Sequence, residues 1–123
     1  MATEPLSSAE FNLQSERTTS ETIVHATGRI TSTTSAIFES RLRQLVSRNK
    51  RVVLDLTNLD YIDSSGLGAL VAVYMHAQRA KCDLEIANPK SRIKDLFSRS
   101  GLASVFRAPR PGEIRGPGEN YFM

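Results

Sequence analysis

Residues 51–56, RVVLDL, constrain the fold of this chain more than any other segment. Four of these six residues are apolar and two are β-branched valines, so the segment favours an extended strand. A strand with one face in water alternates apolar and polar side chains, whereas a strand buried on both faces is apolar almost throughout. The segment therefore predicts the central strand of a sheet that other elements cover on both sides.

Two further strands are predicted before this segment. Residues 11–17 alternate from Phe11 through Leu13 to Ser15, which is typical of a half-buried strand. Residues 21–27, ETIVHAT, are rich in apolar and β-branched side chains and predict a second strand that ends at Gly28. Residues 18–20, TTS, form the predicted turn of a hairpin between them.

In two segments the apolar residues recur with the period of a helix. Residues 31–35, TSTTS, offer hydroxyl N-caps for a helix of about fifteen residues. The apolar side chains that share one face of this helix are Phe38, Leu42, Leu45 and Val46. A second amphipathic helix is predicted to run to about Ala80. Its apolar face is formed by Leu67, Leu70, Val71 and Tyr74. Residues 58–63 are expected to connect the central strand to this helix, with Leu59 and Ile62 turned inward.

The rest of the chain predicts one more strand–helix–strand unit. Residues 83–87, DLEIA, alternate as a strand, and the Asn88–Pro89 pair ends it. Ser91 is expected to cap a short helix and Gly101 to end it. A last short strand is predicted within residues 102–106. The order β-β-α-β-α-β-α-β predicts a single small α/β domain, in which a mixed sheet opens with an antiparallel hairpin and continues with parallel strands.

Composition bounds the domain and its environment. A chain of 123 residues with 40% apolar and 24% charged residues is typical of one globular domain. We expect residues 1–10 to be frayed, residues 11–106 to form the domain, and residues 107–123, rich in proline and glycine, to be a flexible tail.

No apolar run approaches about 18 residues, and the start lacks the pattern of a secretory signal, so a cytoplasmic protein is predicted. The net charge of +3 is scattered without interleaved aromatic residues, so neither nucleic acid nor membrane is an expected partner.

The junction "IDSSGL" before the second helix allows two interpretations. An N-cap is needed where a strand leads into a helix, and Asp63 or Ser64 supplies one. Capping does not explain Gly66, since glycine inside a helix costs up to about 1 kcal/mol relative to alanine. A glycine there favours close approach to the backbone, and Ser65 would lie at the positive helix end, where a phosphate is tolerated. The residues alone do not decide between two roles for this turn. It either only caps the helix, or it carries a serine that is modified or contacts a ligand.

Catalysis by this chain is not predicted. The nucleophile elbow of hydrolases requires glycine two residues before the serine, and none precedes Ser65 there. His25 lies in a predicted strand and His76 most of a helix away from Ser65, so no base is in reach. Asp55 lacks the acidic pair and the lysine that the phosphoacceptor of a receiver domain needs. The single cysteine, Cys82, makes neither a disulfide nor a metal site.

Residues 51–106 carry a resemblance to a known family. The segment is similar to a STAS domain of the anti-sigma factor antagonist family. The features that match are, in order, VVLDL, D-S-S-G-L, a helix, a strand with Asn88 and a final I..LF..SGL...F. The looser G-R-I at Gly28 and the helix after it also fit, so the resemblance covers about residues 11–106.

The resemblance implies a function and a site. In such proteins the second serine of the DSSG turn, here Ser65, is phosphorylated by a partner anti-sigma factor that is an ATP-dependent serine kinase. The unphosphorylated form binds the anti-sigma factor and releases a sigma factor, and a metal-dependent serine phosphatase restores it. The protein is then a switch and not an enzyme; ATP and Mg²⁺ belong to the kinase, and no cofactor is expected here. Asp63, Ser64, Gly66 and Leu67 would support the turn and the partner surface.

Two departures from the family leave alternatives open. The family usually carries an acid where this chain has Thr31, and residues 108–118 cannot form the further helix often found at the C-terminus. The basic residues of the third predicted helix, at positions 90, 92, 94 and 99, either face an acidic partner or are ordinary solvated charge. The alternative function is a STAS interaction module without a switch, such as a scaffold subunit or an accessory subunit of a transport complex.

Overall fold

A computed structural model describes residues 10–100, in which four strands and three helices alternate after an opening hairpin. The elements are β1 (Phe11–Arg17), β2 (Thr22–Ile30), α1 (Ser35–Arg48), β3 (Arg51–Ile62), α2 (Ser64–Arg79), β4 (Asp83–Ala87) and α3 (Ser91–Arg99). Gly101, the strand expected within residues 102–106, the tail and nearly all of the N-terminal segment expected to fray lie outside the described residues. None of the three helices has the length and hydropathy that a membrane-spanning segment needs.

The sheet has the strand order β1-β2-β3-β4. The hairpin pairs β1 with β2 in antiparallel register, with Leu13 opposite Ala26. The pairs β2–β3 and β3–β4 are parallel, so α1 and α2 are the crossover connections. The predicted mixed sheet is confirmed.

The central strand β3 is buried on both faces but is longer than expected. Val52, Val53 and Leu54 are consecutive and all buried, as the apolar run predicted. The expected connector at residues 58–63 is wrong, because β3 continues to Ile62 and keeps pairing with β2 through two register shifts. Leu59 and Ile62 are buried, so their inward orientation is confirmed.

Gly28 lies inside β2 and does not end it. Its φ of +94° is a left-handed conformation, and a β-carbon built there would lie 2.0 Å from the carbonyl oxygen of Glu10. Only glycine fits this close approach, which coincides with a register shift between β2 and β3. The strand then continues to Ile30, which brings its end beside the start of α2.

The helices α1 and α2 pack on each other and on one face of the sheet, as their apolar periodicity predicted. Phe38 of α1 is fully buried and packs edge-on against Phe11, with 6.1 Å between ring centroids. The cap expected for α3 is wrong, whereas the N-cap of α1 lies within the expected residues 31–35 but forms no side-chain cap hydrogen bond. Lys90, and not Ser91, is the N-cap of α3, and its side chain forms no cap hydrogen bond. Thr34 is the N-cap of α1, but its hydroxyl bonds to residues 29 and 31 before the helix.

One arginine of β3 contacts β4 and the residue just before β2 at one end of the sheet. The guanidinium of Arg51 donates from Nε to Glu21 at 2.9 Å and from Nη1 to Asp83 at 2.7 Å, and Nη2 donates to Glu85. Only 3% of the Glu85 side chain is exposed. A buried carboxylate carries a large desolvation penalty, and the ion pair with Arg51 offsets part of that penalty for Glu85.

We expect Arg51→Met to lower the free energy of unfolding by about 3 kcal/mol, because it leaves Glu85 buried without its arginine. Urea denaturation followed by circular dichroism measures this loss. The matched control is Arg43→Met, which removes an arginine from an exposed pair with Glu39, and should cost about 0.5 kcal/mol or less. Equal losses in the two variants would contradict the role given to Arg51.

Candidate functional site

The N-cap of α2 is Asp63. Its Oδ1 accepts a hydrogen bond from the Gly66 amide at 3.0 Å, and its carbonyl accepts from the Leu67 amide at 2.9 Å. The sequence left Asp63 and Ser64 as alternative caps, and the structure assigns the cap to Asp63. Since the cap lies at residue 63, Ser64 and Ser65 are the first and second residues of the helix.

Asp63 also ties the start of α2 to the loop between β2 and α1. Its Oδ2 accepts from the Ser32 amide at 3.3 Å, and its own amide donates to the Ile30 carbonyl at 3.1 Å. Both carboxylate oxygens of Asp63 are therefore engaged. The sequence did not predict this contact, because it joins residues 31 positions apart and depends on how far β2 and β3 extend.

Gly66 is required by the packing of the chain itself. A β-carbon at this position would lie 2.5 Å from Cγ1 of Ile62 and 2.9 Å from the carbonyl oxygen of Ile30. The sequence predicted a close approach to this backbone without saying which group approaches. The structure shows the close approach and identifies the groups as the ends of β2 and β3.

Ser64 and Ser65 are exposed at the positive end of α2. Neither hydroxyl takes part in a hydrogen bond with another residue of the described segment. The amides of the first helical residues lack acceptors within the helix, and the helix dipole favours negative charge at this end. A phosphate on Ser65 would thus meet free donors and a favourable field.

Leu67 is buried, unlike Ser64 and Ser65, and only 7% of it is exposed. It joins the core and lines a cavity between α2 and α3. Its role as support for the turn and the partner surface stays a prediction.

The structure does not bring either histidine to Ser65. His25 Nδ1 lies 2.8 Å from Asp55 Oδ2, and Nε2 lies 3.3 Å from Glu16 Oε2, so carboxylates occupy both ring nitrogens. His76 Nε2 lies 2.9 Å from the hydroxyl of Ser47. That hydroxyl donates its proton to the Arg43 carbonyl at 2.8 Å, so in this arrangement His76 does not act as its base.

In the His25–Asp55 pair, the pKa of His25 is raised and the pKa of Asp55 is lowered. Partial burial opposes protonation of His25, but hydrogen bonds and charge from Asp55 and Glu16 outweigh it and raise its pKa. Partial burial likewise opposes ionisation of Asp55, but hydrogen bonds from Thr57, His25 and Asn88 outweigh it and lower its pKa. The charged forms of the two groups stabilise each other.

Two other chemistries have little support in residues 10–100. No three His, Cys, Asp or Glu side chains converge there on a point that would hold a metal ion. Burial raises the pKa of the Cys82 thiol, which makes this group a poor nucleophile.

The fold and the turn define a class of protein. The family model described as "STAS domain" matches residues 12–113, and the chain belongs to this family. Among relatives, it is 32% identical over 80 residues to BtrV of Bordetella bronchiseptica, a protein named provisionally as an anti-sigma factor antagonist. The matched region covers 64% of this chain and 69% of BtrV.

Two solved structures of the anti-sigma factor antagonist SpoIIAA share the fold. The unphosphorylated form has a TM-score of 0.66 and 15% identity, covering 85% of this chain and 99% of SpoIIAA. The phosphorylated form, from Bacillus, has a TM-score of 0.60 and 16% identity, covering 79% and 88% respectively. At these identities the likeness concerns the fold alone.

The two glycines of α2 predict opposite responses to the same substitution. We expect Gly66→Ala to destabilise the protein by about 1–3 kcal/mol, because its methyl group overlaps Ile30 and Ile62. Gly68→Ala should stabilise it by up to about 1 kcal/mol, since a β-carbon there meets no atom within 4 Å. Urea unfolding of both variants measures the difference, and a stability gain in Gly66→Ala would contradict the packing described.

The raised pKa of His25 predicts a pH-dependent contribution to stability. Since the folded pKa exceeds the ordinary value of 6.5, the contribution is complete below that pH and is lost as the pH rises through the folded pKa. The difference in unfolding free energy between the native protein and His25→Gln should be larger at about pH 5.5 than at about pH 8.5. In an Asp55→Asn background this pH dependence should shrink, and a difference that is constant with pH would contradict the assignment.

Proposed function

We propose that this protein is an anti-sigma factor antagonist whose binding is switched by phosphorylation of Ser65. The observation that carries the proposal is the exposed hydroxyl of Ser65 at the second position of α2, which bonds to no other residue of the described part of the chain, in a turn whose geometry Asp63 and Gly66 maintain. Membership of the STAS family and the naming of BtrV support it.

In this proposal the unphosphorylated protein binds an anti-sigma factor and thereby releases a sigma factor. The anti-sigma factor is also the serine kinase that phosphorylates Ser65, and a metal-dependent serine phosphatase reverses the reaction. The protein is the substrate and not an enzyme. ATP and Mg²⁺ are bound by the kinase, this chain needs no cofactor, and the exchange takes place in the cytoplasm without direct contact with nucleic acid or membrane.

The local physics favours a change of surface over a change of fold. A phosphoserine adds about −1.5 to −2 charges and three acceptor oxygens, which the free amides at the start of α2 can satisfy. The same charge would oppose a partner surface that fits a neutral hydroxyl, and it adds to the charge of Asp63 next to it. The likeness of this fold to both the phosphorylated and unphosphorylated forms of SpoIIAA agrees with a fold that persists.

Intact mass spectrometry tests the phosphoacceptor. The full chain is incubated with Mg-ATP and each serine kinase of the anti-sigma type from the same genome. We expect one added phosphoryl group in the native protein and in Ser64→Ala, and none in Ser65→Ala. Phosphorylation retained in Ser65→Ala would overturn the assignment, and no phosphorylation by any such kinase would favour the STAS module without a switch.

Binding to the kinase identified in this way tests the switch. We expect Ser65→Asp to weaken the complex by about 30- to 150-fold, equivalent to about 2–3 kcal/mol. Ser65→Ala should bind like the native protein, because it remains neutral and adds no bulk. Calorimetric titration measures the affinities, and Ser64→Asp is the matched control for a charge one residue away. Equal weakening by both aspartates would show that only the general charge of the turn matters.

A further inference from the structure

A cavity of about 400 Å³ lies between the start of α2 and α3, directly beside the turn that carries Ser65. Its apolar wall consists of Ile62, Leu67, Ile93 and Leu96. Ile62, Leu67 and Ile93 are buried, and Leu96 is half-buried. Such a wall favours an apolar side chain over water.

The rim of the cavity is positively charged. Arg92 and Arg99 line it and are exposed, and neither forms an ion pair with a carboxylate of residues 10–100. Asp63 also lines it, but both of its carboxylate oxygens already accept backbone amides. The rim therefore carries two guanidinium groups and one carboxylate, and neither guanidinium is held in an ion pair by a carboxylate of residues 10–100.

The surroundings of Asp60 show the same positive field. A hydrogen bond and the charge of Lys90, together with more distant Arg92 and Arg29, lower the pKa of Asp60. The contact with Asp60 engages Lys90, and Arg29 stacks on the Tyr61 ring at 4.7 Å. Of the basic residues in this region, Arg92 and Arg99 are those that line the cavity and remain available to an anion.

The position of the cavity points to its occupant. Ser64 lines it and is adjacent to Ser65 in the chain, so a protein that reaches the Ser65 hydroxyl approaches the edge of this opening. Guanidinium groups recognise carboxylates through paired charge-assisted hydrogen bonds. We propose that the cavity binds a segment of the anti-sigma partner in which an apolar side chain is flanked by carboxylates. This inference rests on the proposed function and adds the chemistry of the partner.

The proposal also assigns different roles to the basic residues around α3. Lys90 is held by Asp60 and is ordinary surface charge. Arg92 and Arg99 select an acidic segment, while Leu67 and Leu96 accept its apolar side chain. Specificity for the partner would then lie in α3, whereas the switch lies in α2.

Nuclear magnetic resonance titration with model peptides tests the cavity without the kinase. The probe is acetyl-Glu-Leu-Leu-Glu-amide, and the control peptides are acetyl-Lys-Leu-Leu-Lys-amide and acetyl-Glu-Gly-Gly-Glu-amide. We expect the backbone amides of residues 62–67 and 92–99 to shift with the acidic leucine peptide, which should bind about tenfold more tightly than either control. Equal affinity for the three peptides, or shifts confined to other residues, would overturn the proposal.

Charge reversal separates the cavity from general electrostatics. The double variant Arg92→Glu/Arg99→Glu should lose the preference for the acidic peptide, and both residues are exposed, so its amide spectrum should remain that of a folded protein. The matched variant Arg41→Glu/Arg48→Glu changes the charge of α1 equally and should keep the preference. Loss of the preference in both variants would reduce the effect to net charge and overturn the site.

The two proposals fail separately in this design. Selective peptide binding together with phosphorylation retained in Ser65→Ala would keep the cavity and refute the switch. Phosphorylation of Ser65 without selective peptide binding would keep the switch and refute the cavity.

Discussion

The close approach of α2 to the end of β2 is the contact on which the site depends. Gly66 faces the Ile30 carbonyl and the Ile62 side chain without a β-carbon of its own, and Asp63 donates its amide to the same carbonyl. Because Ile30 and Ile62 are buried ends of neighbouring strands, the first turn of α2 is anchored to the centre of the sheet. The orientation of the turn is therefore a property of the core.

Within the four residues of this turn, the residues that stabilise the fold are not the ones whose side chains are exposed. Asp63 and Gly66 satisfy the backbone and the packing, while Ser64 and Ser65 between them contribute little to either. A residue that capped the helix with its own hydroxyl would lose that cap on modification. Because Asp63 caps the helix, a group added to Ser65 does not remove a hydrogen bond that the fold needs.

Local sequence patterns predicted most of the helices and strands, and they predicted the polar turn at the start of α2. Alternation in β1 and helical periodicity in α2 were sufficient, because each reflects one buried face. The extension of β3 to Ile62 was missed because Asn58 and Asp60 have weak strand propensity, and pairing of this part of β3 with β2 resumes after Asp60 only through a register shift. The close approach at Gly66 was predicted, but not the residues that make it, since a contact with Ile30 cannot be deduced from neighbours in sequence. The cavity beside α3 depends on the packing of three separate elements, and periodicity carries no information about it.

The turn from Asp63 to Gly66 has a consequence for how such a switch can change. The fold prescribes its outer two positions and leaves the inner two almost unconstrained. In the proposed switch, substitution at the inner pair would therefore alter the chemistry of regulation, for example with a threonine, a permanent acid or an inert alanine, while the scaffold stays intact. In a domain built in this way, substitutions that change the proposed regulation cost little free energy of unfolding, so they do not need stabilising substitutions elsewhere.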